Sequence, residues 1–384
     1  MTLHLLRRTL ISSSSFKHEP SNLTKLSNFP LFSTVVTQIR KPTSEITNYL
    51  IKNHNFSQET ASKTATFLTR LKDFKKSGLV LEFFEKNGFS KTQLEELVIR
   101  DPGVLASDLN KSIRVKFEGI KDLGFSNDEL ANLLCAAPAI LTLPRSGGAI
   151  VSSISALQNI VGSNSDVTKL LKVCNWFLNG DLNSNLLPNI ELMKKCGISQ
   201  LQIRQNLFSF PRLFLQKHEI IRDCVRRVDE MGLRRDSKMY IHGLRVLKSM
   251  TLEKWESKLK LFKNLGFSEG DILSVFRRTP QVFAVSEKKI LEVSKLLLSY
   301  ENVDVAFLVQ HPELFIFSAG SRIRPRMEII GVLLSKSLLL KEPSLTTLCK
   351  LDDEAFILRY VIPYVGEVGE VGEKYLVSTG FKSL

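Results

Sequence analysis

Apolar residues recur along this chain at helical spacing and in one fixed frame. The pairs Leu94 and Val98, Leu130 and Leu134, Ile203 and Leu207, and Ile272 and Phe276 stand at i, i+4. Each marks the buried stripe of a short amphipathic helix. Ahead of the pairs come Gly88-Phe89-Ser90, Gly124-Phe125-Ser126, Gly197-Ile198-Ser199 and Gly266-Phe267-Ser268. Behind them, fourteen residues after each glycine, come Pro102, Pro138, Pro211 and Pro280. Three residues past each proline stands Leu105, Leu141, Phe214 or Phe283. The glycine can take the left-handed conformation that ends a helix. The serine can accept from the free amides of the next first turn. Gln93, Glu129, Gln202 and the shorter Asp271 occupy the capping-box position three residues on. The proline has no amide to donate and stops the helix. One unit therefore reads as a helix, a turn, a second helix, a sharp break and a short third segment.

The same register predicts weaker copies. Gly162 and Gly232 fall at the right spacing but lack the Phe-Ser pair and the proline. Asn55-Phe56-Ser57 reads as a worn first unit with asparagine in the glycine's place, and His311-Pro312 to Phe315 as a late one. The count is about seven or eight units of roughly 35 residues, the signature of a solenoid. The expected fold class is all-α, a superhelical α-solenoid of helical repeats. The expected organisation is a repeat array over 43–340, a C-terminal helical segment over 341–384, and a leader over 1–42. In the C-terminal segment, the Gly366, Gly369 and Gly372 run reads as a flexible tail.

The leader stands apart in composition. Arg7 and Arg8 lie among leucines, four serines follow, and no acid precedes Glu19. That is the pattern of an organelle transit peptide, with the mitochondrion favoured over the chloroplast. No apolar run approaches the roughly 18 residues of a membrane span, so a soluble protein without a membrane partner is expected. The five cysteines are scattered and form no C-x-x-C pair, which argues against a disulfide framework or zinc. The six histidines form no i, i+4 pair. Gly266 to Gly270 matches G-x-S-x-G, but a nucleophile elbow follows a strand. Here the serine instead sits where its counterparts cap helices. Neither an enzyme nor a bound metal or cofactor is expected.

Charge changes the picture most. The net charge is +14. Between Arg204 and Arg278, seventeen Lys or Arg face nine Asp or Glu. The run Arg226-Arg227, Arg234-Arg235, Arg245, Lys248, Lys258, Lys260, Lys263 and Arg277-Arg278 spans successive units. Such a concentration is the electrostatic footprint of a polyanion partner. A smaller basic cluster, Arg322, Arg324 and Arg326, surrounds Pro325. Trp176 and Trp255 lie at helical spacing among leucines and read as packing residues.

The Gly-Phe-Ser repeat with its proline resembles the mitochondrial transcription termination factor family, most closely its plant branch. The same holds for Phe276-Arg277-Arg278-Thr279-Pro280-Gln281 leading into Ser286-Glu287-Lys288-Lys289-Ile290. The resemblance covers about residues 45 to 360. Trp255-Glu256-Ser257-Lys258 and Ile323-Arg324-Pro325-Arg326 fit it too, although the basic pair usual before that proline is reduced to Ser321-Arg322. The resemblance implies a superhelix of three-helix repeats whose basic groove holds duplex DNA or structured RNA. Arg277, Arg278 and Arg212 carry over as phosphate or base contacts. Arg245, Lys248, Arg324 and Arg326 join them as candidates from the charge clusters. The expected function is nucleic-acid binding in organelle gene expression, by a monomer that regulates or terminates transcription on duplex DNA. The alternatives are an organelle RNA-binding splicing factor, a protein-binding scaffold and a one-base-per-repeat RNA reader. The tetratricopeptide signature of a scaffold is absent, and the degenerate units would leave gaps in a repeat-by-repeat code.

Overall fold

The computed structural model describes residues 44–69 and 75–381, and every regular element among them is helical, with no strand. The expected leader over 1–42 lies outside the described residues. The described chain forms two compact units. One covers residues up to 195 together with 199–218, and the other covers 196–198 together with 219 onward.

Each repeat is built as its sequence demands. The glycines at 88, 124, 162, 197, 232 and 266 have φ from +74° to +89°, and Asn55 takes the same region at φ +53°. Ser90, Ser126, Ser199 and Ser268 each accept from the third amide of the next helix. In return Gln93, Glu129, Gln202 and Asp271 accept from the serine's own amide. Asp271 therefore closes its box despite the shorter side chain. The first unit borrows its acceptor: Ser57 caps Thr60, while Glu95 of the following repeat accepts from the Ser57 amide at 2.7 Å. Neighbouring caps are tied in the same way elsewhere, Asn164 donating to Glu129 at 3.1 Å and Arg204 pairing with Asp166 at 2.5 Å.

At the break, the residue before the proline is extended, with φ −148° at Asp101 and −147° at Thr279. The proline then opens a short helical segment, as in Pro102–Ala106, Pro211–Phe214, Pro280–Ala284 and Pro312–Ile316. Proline thus starts the third element as well as stopping the second. Its ring crowds the preceding residue out of the helical region and fixes its own φ for the turn that follows. Cys174 adopts the same break, φ −152°, with no proline behind it, and Asn175–Leu178 makes the third segment. The Gly162 unit is therefore more complete than its sequence promises. The Gly232 unit is less so. Helix Tyr240–Ser249 runs into the Thr251 cap of Leu252–Asn264 without a short segment between them.

Apolar faces meet inside each repeat. Trp255 stacks on Phe283 with ring centroids 4.9 Å apart, and Phe276 and Phe262 meet Phe283 at 5.4 Å each. Trp255 is fully buried, as its spacing among leucines implies. All five cysteines are free and buried, and burial pushes the Cys135 thiol up to about 12.

The short segment ends with carbonyls that no helix satisfies, and a polar side chain from the repeat's own first helix meets them. Lys116 donates to the carbonyls of Leu141 and Leu143 at 3.0 and 2.9 Å. Asn189 donates to those of Phe214 and Gln216 at 3.0 and 2.7 Å, and Ser77 to that of Leu105 at 2.9 Å. Lys258 donates to the carbonyl of Val285. Burial pulls the Lys116 and Lys258 ammonium groups below the usual lysine range.

The C-terminal expectation needs correction. Residues Val365–Thr379 form a helix rather than a loose tail, with one non-helical residue, Gly369, at φ +47°. Val368 and Tyr375 are buried together with Ile329, Ile330, Leu333 and Phe356. A Cβ on Gly372 would lie 2.3 Å from Val368 Cγ2, so the low-complexity glycine permits close packing there. The apolar valines and tyrosine of this run supply enough buried surface to outweigh the poor helix propensity of its glycines.

Two substitutions test this account. Ser126→Ala should cost about 0.5–2 kcal/mol of stability, the range for a lost helix cap. Asn189→Ala strands two buried carbonyls and should cost about 1–3 kcal/mol for each acceptor left unsatisfied. Urea denaturation of the two variants should rank Asn189→Ala as the more damaging.

Candidate nucleic-acid interface

The break between the second and third elements places the leading candidates. Arg277 and Arg278 close helix Glu269–Arg278, and both are exposed. Their directions differ, as the turn of a helix requires for adjacent residues. Arg277 Nε donates to the Met231 carbonyl at 2.8 Å, and its guanidinium lies over Gly232, where an added Cβ would come within 2.7 Å of Nη2. Arg278 Nη2 donates to Gln310 Oε1 at 2.6 Å. One arginine is thus anchored on the preceding repeat and the other on the following one. Each keeps exposed donors.

Helix Tyr240–Ser249, which carries Arg245 and Lys248, packs against the segment Pro280–Ala284 that follows the arginine pair. Both side chains are half-buried, and burial pulls the Arg245 guanidinium below its ordinary range. The structure therefore gathers the elements bearing Arg277, Arg278, Arg245 and Lys248 around one short segment. Arg212 belongs to the other unit. It is exposed, and its guanidinium lies over the Trp176 ring, 4.1 Å from the centroid.

The candidates around Pro325 divide. Arg324 is exposed at the start of helix Arg324–Ser335. Arg326 is fully buried and is not an interface residue. Its Nε donates to Tyr375 Oη at 2.7 Å, Nη1 to the carbonyls of Leu348 and Leu351 at 2.5 and 2.7 Å, and Nη2 to Asp353 Oδ1 at 2.5 Å. Its guanidinium also packs over the Phe356 ring at 4.6 Å. Two residues separate the neighbours by about 200° around a helix, which turns one outward and the other into the core.

The large basic stretch contracts for related reasons. Arg227 and Lys258 are buried. Arg226 bridges Asp223 and Glu230, Arg234 pairs with Asp236, Arg235 with Asp229, and Lys263 with Glu269. Much of the apparent excess is thus consumed locally. What survives has a pattern the charge count does not reveal. In the stretches that lead from a third segment into the next first helix, Lys111, Lys217, Lys288 and Arg324 are exposed. Their spacing from Pro102, Pro211, Pro280 and Pro312 is the signal that would have found the three lysines. Among the described residues no cluster of His, Cys, Asp and Glu could hold a metal ion, and no helix is long and apolar enough to cross a membrane.

Comparison with known proteins agrees with this construction. The family model described as mTERF matches residues 81–301 and again 249–357. "Transcription termination factor MTERF8, chloroplastic" of Arabidopsis thaliana is 22% identical over 234 residues, covering 60% of this chain and 46% of that protein. "Transcription termination factor MTEF18, mitochondrial" of the same organism is 20% identical over 280 residues, covering 72% of this chain and 47% of that protein. The chain spans about half the length of these curated relatives.

The division at Pro325 can be tested directly. Arg326→Ala leaves buried acceptors unpaired and should cost about 3–5 kcal/mol in a thermal or urea melt, the range for breaking a buried ion pair. Arg324→Ala should leave the melt nearly unchanged. Acid provides a second check through Asp353. Burial raises its pKa, but the hydrogen bonds from Arg326 and Tyr375 outweigh this and the carboxyl ends below its usual value. A lowered folded pKa stabilises at pH above the unfolded value, and that contribution disappears as the pH falls through the folded one. The C-terminal bundle should therefore hold until the pH drops below about 4, the unperturbed aspartate range. Near-ultraviolet circular dichroism of Tyr360 and Tyr375 would follow it.

Proposed function

The chain belongs to the mTERF family, and on that premise we propose that it is a nucleic-acid-binding regulator of organelle gene expression that grips duplex DNA through its phosphates. The observation that carries this reading is the placement of Arg277 and Arg278. They stand exposed at a helix end, each held by a neighbouring repeat, so both guanidinium groups are oriented before any ligand arrives. Preorganised donors lose less side-chain entropy on binding than free ones. Lys111, Lys217, Lys288 and Arg324 offer further positive charge at related points of other repeats.

No catalytic constellation accompanies these residues, and the recurring serine is committed to capping. The proposed activity is binding alone, acting on transcription by occupying the duplex. The names of the two relatives support an organelle setting, one being chloroplastic and the other mitochondrial. For this chain the mitochondrion is proposed, on the arginine-rich, acid-poor composition of residues 1–42.

The salt dependence of affinity is the test. Replacing Arg277 and Arg278 together by alanine should weaken binding to all duplex sequences alike. The slope of log affinity against log salt should become shallower by about 0.9 for each phosphate no longer neutralised, hence about 1.8 for the pair. A folded double variant with the wild-type slope would exclude both arginines from the interface.

A further inference from the structure

We propose that Arg212 and Trp176 form a stacking shelf for an unpaired nucleobase, so that the protein holds single-stranded nucleic acid in addition to duplex. The inference rests on the nucleic-acid-binding reading and adds a second ligand class to it.

The argument begins with the place of the pair in the repeat. Arg212 follows Pro211 at the second position of the short third segment. Trp176 holds the same position one repeat earlier, following Asn175 where the other repeats carry proline. The corresponding residues elsewhere are Gly103, Ala139, Gln281 and Glu313. Two planar side chains therefore fall at equivalent points of consecutive repeats, and the structure brings them face to face at 4.1 Å.

Packing alone does not account for the arrangement. Trp255, the other tryptophan, is fully buried among phenylalanines, whereas Trp176 is only half-buried. Arg212 is exposed, and its guanidinium makes no hydrogen bond or ion pair among the described residues. Other arginines of the basic stretch are held differently, Arg204 by Asp166, Arg226 by Asp223 and Glu230, and Arg235 by Asp229. A guanidinium fixed flat on an indole has one face committed and the other open, and its N–H groups radiate in the plane. An aromatic base can lie on the open face while those N–H groups meet base edges or phosphate. Arginine planes and aromatic rings are the surfaces on which unpaired bases stack. A base inside a duplex cannot reach such a shelf, because its faces are already stacked on its neighbours.

The experiment compares three labelled probes with the full chain: an oligouridylate, an oligothymidylate and a duplex of equal length. Arg212→Lys keeps the charge and loses the plane. It should lower the ratio of single-strand to duplex affinity roughly tenfold, within the range of one lost base stack. The probe that suffers the larger loss tells whether RNA or DNA is preferred. Trp176→Leu should shift the ratio in the same direction, and the single strand should quench indole fluorescence of the wild type. An unchanged ratio in a folded Arg212→Lys variant overturns the shelf while leaving the proposed duplex binding intact. A wild-type chain that binds the duplex but neither single strand also overturns it. A wild-type chain that binds none of the probes overturns the proposed function and the shelf together.

Discussion

The closure of each repeat depends on one requirement: the carbonyls at the end of the short third segment must find donors in a buried place. A buried acceptor without a partner is costly, and no helix continues there to supply one. In several repeats the answer is a polar side chain from the first helix, as with Ser77, Lys116, Asn189, Lys258 and Arg326. The residue type varies because the task fixes only a donor within reach. A lysine, an arginine, an asparagine or a serine can each supply it. This bond ties the first element to the third, and the capping box fixes the turn from the first to the second.

That same requirement reduces the charge available for a partner. Lys258 and Arg326 are basic residues spent on carbonyls, and Arg226, Arg234 and Arg235 are neutralised by nearby acids. Exposed pairs of this kind contribute little stability, but they do reduce the local positive potential. The field felt by a polyanion then comes from fewer residues than the net charge implies. Those at the breaks and linkers are spaced by the repeat itself, which gives a regular set of positive points and not a uniform basic patch.

Arg277 shows how fold and binding can share one side chain. Gly232 is needed first for its positive φ, and its missing Cβ then leaves room for the guanidinium above it. A turn glycine in one repeat thereby shapes the donor presented by the next. Arg212 is placed by comparable means, with Trp176 of the preceding repeat as its support.

The sequence by itself determined the local construction. Gly-x-Ser, the capping residue and the proline act within about fifteen residues through backbone conformation and short-range hydrogen bonds, so their spacing shows them directly. Helix content, the turns, the breaks and the apolar faces were legible for that reason, as was the family resemblance. Only the tertiary structure decided which basic residues are available. Arg324 and Arg326 differ by two positions and have opposite environments. Lys258 points into the core while Lys260 is exposed, although both lie in one basic run. The glycine-rich run near the end is helical because Val368 and Tyr375 find a core more than thirty residues away in sequence, at Ile329 and Leu333. Burial and pairing are set by contacts distant in the chain, and a charge count carries no information about them.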